Sequence, residues 1–81
     1  MLIKKLRLDL EKKLTRYGLR RKFTKAKVLF EKDPRYPGLH TELLESKQFG
    51  VYSFRLDRKF RALFIIVNGK AEITDINLHY Q

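Results

Sequence analysis

Cysteine and tryptophan are absent from this 81-residue chain, and proline and histidine occur only twice each. Without thiols there is neither a disulfide nor a thiolate metal site. Two imidazoles, His40 and His79, do not by themselves complete a tetrahedral zinc shell, so the composition calls for no metal and no other cofactor. Long apolar runs are missing as well. No stretch approaches the roughly 18 apolar residues of a membrane span, and the opening MLIKK lacks the apolar centre of a secretory signal. No membrane contact is expected, and a cytoplasmic location is the default.

Acidic residues are the other scarcity: nine Asp and Glu face nineteen Lys and Arg, for a net charge of +10. The surplus is uneven. Residues 1–27 hold eleven Lys/Arg against Asp9 and Glu11, net +9, whereas residues 28–81 are nearly balanced at +1. A field concentrated on one third of a small protein fits a polyanionic partner. It supplies phosphate affinity without sequence preference and says nothing of chemistry.

The 43% hydrophobic content suffices for one core, so residues 1–81 read as a single domain. Leu6, Leu10, Leu14 and Tyr17 recur at helical spacing, with Asp9 as N-cap and Gly18 as the residue just past the helix. Leu19, Phe23, Ala26 and Phe30 repeat the pattern until Asp33-Pro34 stops it. Residues 2–8 are ambiguous from the pattern alone: Leu2 extends the helical spacing, while Lys5 to Leu8 alternates like a strand. After a turn-rich connector, Val51–Leu56, Phe60–Val67 and Ala71–Tyr80 read as three strands of an antiparallel meander, the last two joined through Asn68-Gly69. The class is α+β, a helical hairpin followed by a three-stranded sheet with the helices on one face.

Hairpin arithmetic bears on chemistry. A three-residue loop over Asp57, Arg58 and Lys59 sets Arg55 opposite Arg61, a repulsive pair unless an anion lies between them. A two-residue loop sets Arg55 opposite Phe60 instead. In the second hairpin, a plain Asn68-Gly69 turn places Arg61 opposite Ile76. A bulge beside Gly69 would bring Asn77 and His79 to the Arg61 face. Both alternatives stay open at this level.

The segment VYSFRLDRKFRALFI, a short turn, a further strand and the closing NLHYQ resemble the RelE/ParE superfamily of bacterial toxins, and within it the YoeB-like mRNA interferases. The likeness spans roughly residues 33–80 and rests on joint spacing: an acid in TELL, Arg in FRLD, Arg in KFRA and the closing HY. It implies a RelE-like fold with a short N-terminal strand, for which residues 2–8 are read as extended. It implies a ribosome-dependent endoribonuclease that cuts mRNA in the A site of the 70S ribosome, held inactive by an acidic antitoxin in a homodimer or hetero-oligomer. Carried over by position, Glu42 is the general base, Arg61 the phosphate ligand, His79 the acid and Tyr80 a stacking or phosphate-holding partner. Arg55, Arg58, Lys59, Arg20, Arg21 and Lys22 are the expected RNA contacts. Arg35, Tyr36 and His40 could touch RNA, but an ordinary surface loop is the better reading. Other readings are a ParE-like gyrase inhibitor, which needs no catalytic centre, and a non-catalytic basic nucleic-acid-binding module.

Overall fold

The computed structural model describes residues 1–44 and 48–78. Apolar spacing decides its first half. Leu10 and Leu14 form the inner stripe of α1 (Leu8–Arg16), and Phe23, Ala26 and Phe30 that of α2 (Arg20–Lys32); all five are buried. Gly18 turns the chain between them with φ +65°. Its N–H donates to the Thr15 carbonyl at 3.2 Å, and the Leu19 N–H donates to that of Leu14 at 2.8 Å. These are the two bonds of a Schellman closure, whose left-handed residue glycine supplies without steric cost.

Asp9 is not the N-cap. Arg7 is, without a side-chain bond to the helix, and its carbonyl accepts from the Leu10 and Glu11 N–H groups. Asp9 lies inside the first turn of α1, where its carboxylate suits the positive end of the helix and grips the Arg7 guanidinium at 3.0 Å. The helix starts before the position an Asp9 cap would set, because leucines at 10 and 14 are held from the core side.

Four strands follow a short 3₁₀ turn (Pro37–Leu39): β1 (Glu42–Leu43), β2 (Tyr52–Arg55), β3 (Phe60–Val67) and β4 (Lys70–Leu78). All pair antiparallel in the order β1-β2-β3-β4. The class is α+β as expected, but the sheet has one strand more than the period suggested. Two residues carry no readable alternation, and β1 exists because the edge of β2 offers its backbone groups: Glu42 pairs with Ser53, Leu43 with Tyr52, and the Leu44 N–H donates to Val51 at 2.7 Å.

The N-terminal strand expected over residues 2–8 shrinks to one parallel bridge, Ile3 to Ala71. The Lys4 N–H donates to the Ala71 carbonyl and the Ala71 N–H to that of Leu2, at 2.8 and 2.9 Å. Beyond this point β4 carries a bulge at Thr74, between the pairs Phe64–Ile73 and Leu63–Asp75. A bulge bends the edge away. The departing chain reaches it only by a side chain, Arg7 Nη2 donating to the Thr74 carbonyl at 3.1 Å.

Both helices cover one sheet face. Phe30 sits between Phe54 of β2 and Phe64 of β3, ring centroids 4.9 and 5.1 Å away, and Ala62, Ile73 and Ile76 complete the core beneath it. Side chains on the alternate positions, Arg61, Leu63 and Ile65, therefore face away from the helices. No helix among the described residues is long and apolar enough to cross a membrane.

Candidate functional site

The β2–β3 connection is the three-residue loop. Leu56 N–H donates to the Phe60 carbonyl at 2.9 Å, and Arg55 stands directly opposite Arg61. Asp57 fixes the turn, its Oδ1 accepting from the Lys59 and Phe60 N–H groups at 2.8 and 2.7 Å, as short polar side chains do in tight turns. Burial acts to raise the Asp57 carboxyl, but the Lys22 ammonium at 2.6 Å and these two N–H donors outweigh it and hold the group below its usual range.

On the far side of β3, the register is the bulged one, with the bulge at Thr74 rather than beside Gly69. The Asn68-Gly69 turn itself is the plain two-residue form, Val67 pairing with Lys70. After the bulge, Arg61 pairs with Asn77, and its Nε donates to Asn77 Oδ1 at 3.2 Å. A row Arg55–Arg61–Asn77 thus crosses three strands on the face turned away from the helices. Both arginines are half-buried, and no carboxylate pairs with either among the described residues. Two cations with Cβ atoms about 5 Å apart repel each other unless an anion joins them. A phosphate group suits that gap, since guanidinium forks match its oxygens two at a time.

Glu42 is exposed on β1 opposite Ser53, two residues along β2 from Arg55, so it shares the arginine face. Strand spacing and rise put its Cα about 12 Å from that of Arg61, two strands across and two residues along. Side chains of this length reach a common ribose-phosphate from opposite sides. His79 and Tyr80, the expected acid and its aromatic neighbour, lie outside the described residues.

The remaining expected RNA contacts divide into two groups. Arg58 and Lys59 are exposed in the β2–β3 loop, and Arg21 is exposed on α2. Arg20 and Lys22 are engaged instead: Arg20 with Glu11 at 2.8 Å and Thr15, and Lys22 with Asp57. All three helix residues lie in the first turn of α2, which carries no acid. The helix dipole is positive there, and each cation costs roughly 0.3–1 kcal/mol. Arg21→Glu is therefore expected to stabilise the fold by up to about 1 kcal/mol while weakening adhesion to RNA. Urea unfolding beside salt-dependent RNA binding checks this; a loss of stability would mean that Arg21 serves the fold.

One residue read mainly as surface loop stands closer to the site. His40 closes the 3₁₀ turn in the left-handed region, φ 46° and ψ 48°, with its N–H donating to Pro37 at 3.2 Å. A side chain in that conformation costs roughly 1–2 kcal/mol, which glycine would not incur. His40 and Arg55 line one depression beside the β2–β3 loop. His40 thereby joins the end of the arginine row.

Set against models of known families and against curated proteins, the chain matches none.

Proposed function

We propose that the protein is a toxin of the RelE/ParE kind, an endoribonuclease that cuts mRNA on the ribosome. The observation that carries this reading is the cross-strand pair Arg55–Arg61, two half-buried cations that no carboxylate pairs with among the described residues, on the face that Glu42 shares. The order of two helices and an antiparallel sheet is in keeping with a RelE-like fold.

RNA brings its own nucleophile. Glu42 takes the proton from a ribose 2′-OH, whose oxygen attacks the adjacent phosphorus in line. The P–O5′ bond breaks, the 5′-oxygen receives a proton from His79, and a 2′,3′-cyclic phosphate remains upstream. Arg61, steadied by Asn77, holds the non-bridging oxygens where charge grows in the transition state. An imidazole suits the acid's task because its ordinary pKa lies near neutrality. Tyr80 stacks on a neighbouring base or holds the phosphate. The basic first turn of α2 seats the protein on ribosomal RNA, and an acidic, partly disordered antitoxin folds over that same surface.

Primer extension on a defined mRNA in a purified translation system tests this. Cuts at A-site codons that require ribosomes, lost in both Glu42→Gln and His79→Gln, are the expected result. Growth arrest in cells with intact mRNA would end the nuclease reading and direct attention to gyrase.

A further inference from the structure

The arginine row does not stop at Arg55. A depression of about 230 Å³ opens beside it, lined by His40, Arg55 and Arg58 together with Gly38, Leu56 and Asp57. The one carboxylate among its described lining residues is committed elsewhere, since Asp57 holds the Lys22 ammonium and two backbone N–H groups. The depression is therefore cationic, and among the described residues no acid pairs with Arg55 or Arg58. At its mouth a histidine occupies a left-handed position for which glycine is the unstrained choice. Strain retained in favour of a side chain is a mark of use.

We propose that His40, Arg55 and Arg58 form a second phosphate subsite, which holds the RNA phosphate adjacent to the one that Arg61 binds. This rests on the reading of Arg61 as a ligand of the scissile phosphate. Arg55 pairs with Arg61 and lines the depression with His40, so the depression opens one strand outward from Arg61, a step of about 4.8 Å. Arg55 stands between the two, and Arg58 of the β2–β3 loop lines the same depression. The strand is thus gripped at two successive phosphates, which fixes the reacting linkage against rotation and presents its 2′-OH to the Glu42 side.

The test uses RNA that cannot react: a 2′-O-methyl dinucleotide with one phosphate and the trinucleotide with two, titrated by NMR into the whole protein. Wild type is expected to bind the trinucleotide about tenfold more tightly, the worth of one charge-assisted hydrogen bond. His40→Gly and Arg58→Gln each remove most of that advantage and leave dinucleotide binding unchanged. Each also makes the salt dependence of trinucleotide binding shallower, by up to about 0.7 in slope for a phosphate no longer neutralised. Arg61→Ala weakens both ligands. His40→Gly melts no lower than wild type, which separates a ligand role from a structural one. A trinucleotide advantage that survives both variants, or is missing from wild type, overturns the subsite. Because these probes are inert, the two readings fail separately. Two-phosphate binding without ribosomal cleavage removes the nuclease reading alone, and cleavage without the advantage removes the subsite alone.

Discussion

On the proposed nuclease reading, Arg61→Ala is expected to lower mRNA cleavage by about two to three orders of magnitude while leaving the fold as stable as before, or slightly more so. The first half follows from position. Arg61 is the half-buried cation at the centre of the Arg55–Arg61–Asn77 row, and its Asn77 bond holds the guanidinium in one orientation before any substrate arrives. Preorganised charge aimed at the equatorial oxygens acts chiefly in the transition state, so kcat falls more than KM rises. The second half follows from repulsion. Removing one of two opposed like charges relieves up to about 1 kcal/mol. Arg61→Lys restores charge without the fork and is expected to recover only part of the rate. Single-turnover cleavage and urea unfolding on the same preparations check both halves. Unchanged cleavage by a folded Arg61→Ala protein would remove Arg61 from the reaction.

Phe30→Ala should cost about 3–5 kcal/mol, the largest loss of stability expected from a single truncation here. Phe30 is fully buried and lies 4.9 Å from Phe54 and 5.1 Å from Phe64, the second contact being edge-to-face at 80°. It is the point where α2 meets two strands at once, so its cavity is walled by rings from separate elements that do not collapse together. A domain of this length has only about 4–12 kcal/mol in total. The variant should therefore have a much lower urea midpoint at an unchanged slope, and a visible unfolded fraction at 37 °C. Phe30→Leu keeps most of the volume and should lose far less. A midpoint shift worth under about 1 kcal/mol for Phe30→Ala would show that the three rings do not hold the layers together.

The elements that sequence foretold are those whose signal is local. Leu10, Leu14, Phe23, Ala26 and Phe30 repeat at helical spacing, and Gly18 and Asp33-Pro34 punctuate them, so both helices fell within a residue or two of their ends. Phe60–Val67 matches β3 end for end, and Asn68-Gly69 marked its turn. What stayed hidden depends on partners far along the chain. Glu42–Leu43 becomes a strand only because β2 has a free edge, and His40 acquires its neighbours only in the folded chain. Lys5 to Leu8 alternate like a strand, and the family likeness extended that reading to residues 2–8, but the bulge at Thr74 withdraws the edge such a strand would have followed. The bulge itself left a trace. Ala71, Ile73 and Ile76 are all buried, so the inward positions slip from odd to even numbers between 73 and 76, where the extra residue sits. That slip, rather than Gly69, marks the register that sets Arg61 beside Asn77. Of the candidate site, Arg55, Arg61 and Glu42 were legible by position and do share one face. Arg55 and Arg61 share it through a local feature, the loop closed by Asp57, whereas Glu42 joins them only through the tertiary pairing of β1 with β2.

The bridge between Ile3 and Ala71 also sets an order of assembly. A ribosome delivers both helices before any strand, and Phe30 then waits for Phe54 and Phe64, and Ile3 for Ala71. At about 5–20 residues per second, the stretch from Lys32 to Leu78 takes roughly 2–9 seconds to emerge. Throughout that interval the apolar stripes of α1 and α2 have nothing to lie against, and a helical hairpin this short does not persist unaided. The positive third of the molecule therefore exists first as a solvated basic tail, and the arginine row is the last feature to form. A nascent copy carries its excess of positive charge well before the arginine row is assembled.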